Sequence, residues 1–213
     1  MKSRGMLDNH LRGILKAFGR KIGKVDQGRF EQRVRELVDG DDLLEQVVGP
    51  ILRVRREVLE RLDQLHRLVL AAVKADPVCR LLMTVSVGPV TALAYRTAIE
   101  DPARFAKSQL VGAHFGLTPR KYASGETDRN GGITKFGDRM VRALLSEAAN
   151  ALPTRVSRWS WLKRWGLEVA RRRGKLRAQV AVARRLAVIM HRMWVDGTAF
   201  SWTRSGAGEA ASA

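Results

Sequence analysis

From Asp41 to Ala75 apolar side chains recur at steps of three and four, and no other feature constrains the fold of this chain as tightly. Leu44, Val48, Ile51, Val58, Leu62, Leu65 and Val69 keep the spacing with one interruption, at Arg55, while Arg56, Glu57, Glu60, Arg61 and Asp63 fall on the flanks. A helix brings residues at those intervals to one side, so the pattern predicts one long helix with a heptad-like stripe. Two arrangements satisfy it: packing on its own domain, or pairing in a coiled coil. Pro50 lacks the amide proton that an interior position donates, and so either starts the helix or kinks it. Pro77 disfavours helical geometry at Asp76 and sets the end.

Helical spacing continues on both sides. Leu7, Leu11, Ile14, Leu15 and Phe18 predict a helix from Met6 to Phe18, ended by Gly19 and Gly23. A second is expected around Phe30, Val34 and Leu37, with Asp26 as its cap and Gly40 closing it. Beyond Pro77 the texture changes. Residues 80–118 predict short helices with tight turns. Residues 119–137, with Gly125, Gly131, Gly132 and Gly137, are polar and turn-rich, with room for one small hairpin. Three further helices are expected at Asp138–Leu152, Ser157–Arg172 and Lys175–Trp194, with Gly174 separating the last two. The expected fold class is mainly α: a long coiled-coil-like helix, then a helical domain with a helix-hairpin-helix and a small β-hairpin or turn-rich loop. The expected boundaries are a helical linker and coiled-coil-like region over 1–76, a second domain over 77–202, and a disordered tail over 203–213.

Charge narrows the class of partner. Residues 76–213 carry 23 basic and 10 acidic side chains, a net of +13, against +5 from 16 and 11 in residues 1–75. A surface of that sign attracts polyanions, of which nucleic acid is the commonest; a solvated basic face without a partner is the other reading. No stretch has the 18 or so apolar residues of a membrane span, and no membrane association is expected. The single cysteine, Cys79, excludes an internal disulfide and a thiolate metal cluster. His10, His66, His114 and His191 show no metal-ligand spacing, so no metal ligand is assigned in this chain. The polar amino terminus lacks the apolar core of a signal peptide, which leads to the expectation of a cytoplasmic protein.

Two segments could carry chemistry. In residues 81–99 a helix is expected to end near Met83, followed by a tight Val85-Ser86-Val87-Gly88 turn and a new helix from Pro89. That pattern resembles a helix-hairpin-helix, which holds nucleic-acid backbones by exposed N–H groups and a helix dipole, with Gly88 and Thr91 as the contact positions. Ser86 stands where the usual pattern has its first glycine, and an ordinary connection between helices fits the same residues. In residues 116–145, Ser124 lies beside Gly125 in a loop crowded with Arg120, Lys121, Arg129, Lys135, Arg139 and Arg142. A serine hydroxyl is a poor nucleophile unless a base takes its proton and something stabilises the developing charge. Clustered guanidinium groups and backbone amides suit the second task at a phosphodiester; no histidine nearby in sequence suits the first.

Three stretches, VGPVTALAYRTAIEDPARF, LVGAHFGLTPRKYASG and GGITKFGDRMVRALLSEAA, resemble in order the C-terminal domain of the IS110 family of bacterial insertion-sequence transposases, also described as bridge-RNA-guided recombinases. The resemblance implies that the Tyr122-Ala123-Ser124-Gly125 segment supplies a catalytic serine, Ser124, which attacks a DNA phosphate and conserves bond energy in a phosphoserine link. It further implies DNA and a guide RNA as partners, a homo-oligomer (dimer or tetramer), a nucleoid-associated bacterial protein, and a RuvC-like domain whose acidic residues bind Mg2+. Nothing in the first 75 residues supplies such a carboxylate set. The chain is therefore expected to be a transposase fragment, a truncated product or one part of a split enzyme, inactive alone and without a cofactor of its own.

Two smaller features stay open. Trp159, Trp161 and Trp165, beside Arg158, Lys163 and Arg164, fit either the inner face of a helix or a platform for bases. Glu126 and Asp128 could orient Ser124 or pair with a neighbouring arginine. The densest basic run, Arg171, Arg172 and Arg173 with Lys175 and Arg177, suits phosphates better than bases. Two other functions fit the sequence: a non-catalytic DNA- or RNA-binding module built on the hairpin motif, and a helical scaffold assembled through the 41–75 stripe.

Overall fold

The computed structural model describes residues 2–124 and 127–203, with the backbone alone at residues 2, 121–124 and 127–130. The chain forms two compact units that meet in sequence between Leu68 and Val69, inside the long helix. The expected tail from residue 204 onward lies outside the described residues.

The first unit is built from α1 (Lys2–Ala17), α2 (Phe30–Val38) and the greater part of α3 (Asp42–Ala75). Its core joins Leu11 and Leu15 of α1, Ile22, Phe30 and Val34 of α2, and Leu44, Val48 and Leu52 of α3. Burying such side chains is the main term that holds three short amphipathic segments together. Asp26 does not cap α2. The N-cap is Arg29, with no side-chain cap bond, because a turn with Arg29 N–H donating to Asp26 O at 3.1 Å comes between them. Pro50 lies inside α3, which continues through it.

The apolar stripe of α3 divides. Leu44 and Val48 are buried in the unit's own core, Ile51 is half-buried against it, and Leu52, outside the predicted stripe, is buried in its place; Arg55 is as buried, at 2% exposure. Beyond it Val58 and Leu62 are half-buried, while Leu65 and Leu68 are 58% and 66% exposed. Arg55 interrupts the hydrophobic pattern because it pairs with Asp8, Nε to Oδ1 at 2.6 Å, and lays its guanidinium over the Phe30 ring at 4.6 Å.

In the second unit, Asp76 caps α4 (Pro77–Met83), accepting from the N–H groups of Val78 and Cys79 at 2.7 and 3.0 Å. Then follow α5 (Pro89–Ile99), a 3-10 turn at Pro102–Arg104, α6 (Leu110–His114), and a hairpin of β1 (Pro119–Ser124) and β2 (Thr127–Ile133). Three longer helices close the unit: α7 (Arg139–Thr154), α8 (Trp161–Arg173) and α9 (Lys175–Asp196). Asp138 caps α7, accepting from Met140 and Val141 N–H at 2.6 and 3.0 Å. The sequence predicts the next helix from Ser157; α8 instead starts at Trp161, because the Ser160 hydroxyl takes the Lys163 N–H at 3.1 Å. Trp159 therefore stands outside the helix, 59% exposed.

Helix α9 is the centre of this unit. Val182, Ala183, Leu186, Ala187, Met190 and Met193 bury one face of it within a core shared with α4, α5, α6, α7 and α8. The alanines let neighbouring helices come close: the Tyr95 hydroxyl of α5 donates to Ala187 O at 2.7 Å. His191 is structural. Its Nε2 donates to Pro102 O, and its Nδ1 meets the Ser108 hydroxyl, both at 3.0 Å. After α9 the chain turns back along the unit, where Phe200 is buried and its N–H donates to Thr84 Oγ1 at 3.0 Å.

Candidate functional site

The hairpin carries Ser124 at the end of β1, paired in register with Thr127; Tyr122 pairs with Arg129, Ala123 with Asp128 and Lys121 with Asn130. In an antiparallel ladder directly opposed residues share a face and successive ones alternate. Ser124, Tyr122, Thr127 and Arg129 thus hold one parity of the ladder, and Lys121, Ala123, Asp128 and Asn130 the other. At roughly 3.4 Å per residue, five steps put Ser124 about 17 Å along the strand from Pro119. The Ser124, Lys121, Arg129 and Asp128 side chains, and Gly125 and Glu126 altogether, lie outside the described residues.

What fixes the hairpin is a clamp at its base. Gly116 (φ 63°) and Gly137 (φ 72°) lie where the two arms meet the helices. A Cβ on Gly116 would stand 2.3 Å from Phe136 O, and one on Gly137 would stand 1.9 Å from His114 O. Neither position can carry a side chain, so the arms interlock backbone to backbone. Lys135 N–H donates to Gly116 O at 3.1 Å and Thr134 N–H to Thr118 O at 2.9 Å. Arg142, from the first turn of α7, closes the clamp: its Nη1 donates to Phe115 O at 3.1 Å and to Phe136 O at 2.8 Å. Arg142 is thus a tether of the hairpin as well as a cation beside it.

Between the hairpin base and the corner of α8 and α9 lies a cleft of about 860 Å³. Its floor is apolar, from Leu117, Pro119, Ile133, Val169, Leu176 and Val180, and Arg173, Arg177 and Arg184 stand on its lining. Of the basic run read from sequence, Arg173 and Arg177 reach this cleft. Arg171 and Arg172 are exposed in the last turn of α8, where they also complement the helix dipole. Arg120 is exposed, its Nη2 donating to Thr134 O at 3.3 Å, and Lys135 and Arg139 are exposed on the hairpin's approach to α7. Sequence reasoning missed Arg184. Its signal was there, in the seven-residue interval from Arg177 that puts both on the face of α9 away from the core.

A tight turn joins α4 to α5. Ser86 takes φ 69°, the left-handed conformation that glycine adopts most easily, and Gly88 is the extended N-cap of α5. Gly88 is exposed, whereas Thr91 is 7% exposed and packs into the core. Cys79 is buried, and burial pushes its thiol up to about 11, away from the thiolate that reactivity needs. Among the described residues no three His, Cys, Asp or Glu side chains come together as metal ligands. No described helix is long and apolar enough to cross a membrane.

Residues 79–165 match the family model described as Transposase IS116/IS110/IS902 family. The chain is similar to the transposase for insertion sequence element IS1111A of Coxiella burnetii, 31% identical over 202 residues that cover 89% of this chain and 54% of that protein. It is also similar to a protein of Pseudomonas aeruginosa described as "Probable family 20 transposase", 28% identical over 158 residues, covering 71% of this chain and 47% of that one. A third relative is the transposase for insertion sequence element IS1328 of Yersinia enterocolitica, 29% identical over 144 residues, with 67% and 43% covered. The chain spans about half the length of the curated relatives it matches.

Proposed function

The chain belongs to the IS116/IS110/IS902 family of transposases, and from that premise we propose that its second unit is the DNA-handling half of an insertion-sequence recombinase, with Ser124 as the covalent nucleophile. The observation that supports this reading is the clamped hairpin, which falls within the family-matched residues and holds Ser124 at the end of a strand fixed by Gly116, Gly137 and Arg142. In the reaction, Ser124 Oγ attacks a DNA phosphorus and a phosphoserine bond forms. The phosphorus–oxygen bond to one deoxyribose breaks, and the hydroxyl proton ends on the leaving oxygen. Attack by the deoxyribose hydroxyl of another strand reverses these steps, restores the serine and joins the new strand without loss of bond energy. Arg129, on the parity of Ser124, offsets charge on the phosphate. Arg173 and Arg177 in the cleft, with Arg120, Lys135 and Arg139, hold the backbone. Gly88 offers the α4–α5 turn as a second backbone contact.

The acidic, magnesium-binding half and the guide RNA come from outside the described residues. Oligomerisation joins active sites through the exposed leucines late in α3, Leu65 of the stripe and its neighbour Leu68, which pair with a second copy. The test supplies the acidic half, as full-length protein or in trans, with donor and target DNA, guide RNA and magnesium. Wild type yields a protein–DNA adduct on denaturing gels and recombinant DNA; Ser124→Ala, with folding and DNA binding intact, yields neither. An adduct or recombinants from the alanine variant would exclude the serine. Cutting would then fall to the carboxylates of the acidic half.

A further inference from the structure

A second concavity, of about 690 Å³, opens on the outer face of α9 and is lined by Trp161, Trp165, Arg184, Arg185, Arg192 and Phe200 among others. We propose that it is a binding site for an unpaired nucleotide of a single nucleic-acid strand, separate from the serine hairpin. Its size lies within the range of about 300–1,000 Å³ that holds small-molecule ligands.

The lining has the two chemistries such a strand requires. The first is a stacking platform. The Arg185 guanidinium lies 5.2 Å from the Trp161 ring centroid and 4.5 Å from that of Trp165, so two indoles and a planar cation form one layered edge. Bases stack on aromatic rings and on guanidinium planes alike. The platform is held in place before any ligand arrives. Trp161 Nε1 donates to Ser201 O at 3.0 Å, its backbone N–H donates to Trp202 O at 3.3 Å, and its ring rests 6.0 Å from that of Phe200. A ring fixed in this way loses little freedom on binding. The second is positive charge for phosphates. Arg184 and Arg192 are exposed on the same face of α9, about 12 Å apart along its axis at roughly 1.5 Å per residue. Asp196 is the acidic residue of the lining, against these arginines.

Geometry also gives the strand its path. Arg184 and Ala181 line both this concavity and the cleft beside the hairpin base. The Arg184 stem lies against Gly112, where a Cβ would stand 2.9 Å from its Cγ, so a bare backbone makes room for the arginine between the two sites. A backbone leaving the hairpin cleft passes Arg184 and meets the tryptophans next. A base inside a duplex presents no free face to stack, which makes an unpaired strand the fitting occupant.

Ser124 takes no part in this site, so its loss and the loss of the serine chemistry are separable. The test titrates the chain with oligothymidylate and with oligouridylate of roughly ten nucleotides, and with a duplex of the same length. Tryptophan emission and filter retention are read together. Both single strands are expected to quench the emission; the tighter one identifies DNA or RNA as the natural strand. Arg192→Ala and Val188→Asp, both on the outer face of α9, are expected to weaken single-strand binding roughly tenfold while duplex binding holds. Trp165→Leu should remove the quench as well. Emission that stays unchanged at saturation would overturn the site. So would folded Arg192→Ala and Val188→Asp variants, judged by circular-dichroism melting, that bind single strands like wild type or lose duplex binding equally.

Discussion

Asp8 holds the Arg55 guanidinium at 2.6 Å, over the Phe30 ring, and this one pair decides how α3 joins its unit. A buried charge that loses its partner costs more than the pair contributed, because the remaining ion stays desolvated. Asp8→Ala is therefore expected to lower the stability of the first unit by about 3 kcal/mol, read as a shift of the urea midpoint. Arg55→Leu, which restores the apolar stripe, should cost markedly less. Equal losses from the two changes would show that the charge pair is not the cause. From sequence Arg55 was legible as an interruption and nothing more. Its counter-charge lies 47 residues away, beyond the reach of any periodicity. Thr91 is a second residue whose setting the sequence did not disclose. Its place after a hairpin turn suggested an exposed contact, but it is the third residue of α5 and faces the core.

At the scale of elements, helices were the legible part, because an amphipathic helix announces its buried face locally. The starts of α5, α7 and α9 followed from Pro89, Asp138 and Gly174, whose chemistry acts within a turn of where they stand. The clamp did not, since Gly116 and Gly137 touch through backbone atoms brought together by the hairpin itself. Gly137→Ala is expected to destabilise the second unit by more than about 1 kcal/mol, from left-handed strain and the His114 clash together. Arg142→Ala should loosen the hairpin while leaving the helices folded, seen as faster amide exchange in β1 and β2 with unchanged exchange in α9. Unchanged strand exchange would remove Arg142 from the clamp and return it to the phosphates. The α3 stripe supports a different expectation. Leu65, 58% exposed, should pair with a second copy, so wild type should scatter as a dimer or tetramer at tens of micromolar and Leu65→Asp as a monomer. A wild-type monomer would defeat the coiled-coil reading.

For the whole molecule, the net charge of +18 is the term that any partner meets first. Nucleic-acid affinity should fall steeply with salt, because each neutralised phosphate releases counterions. Replacing Arg171, Arg172 and Arg173 with alanine should flatten the salt slope by roughly one unit for each phosphate that the run neutralises, in a filter-binding titration. An unchanged slope would put the end of α8 outside the interface. The central proposal concerns one residue, Ser124, and the most direct measurement addresses it chemically. The complete recombinase, formed with the acidic half supplied, is stopped during strand exchange, digested with nuclease and then with trypsin, and the nucleotide-bearing peptide is sequenced by mass spectrometry. Cleavage after Lys121 and Arg129 releases YASGETDR, in which Tyr122, Ser124 and Thr127 are all hydroxyl-bearing candidates. The expected result is a nucleotide on Ser124. A nucleotide on Tyr122 or Thr127, on another peptide, or on none while recombination proceeds, would contradict it.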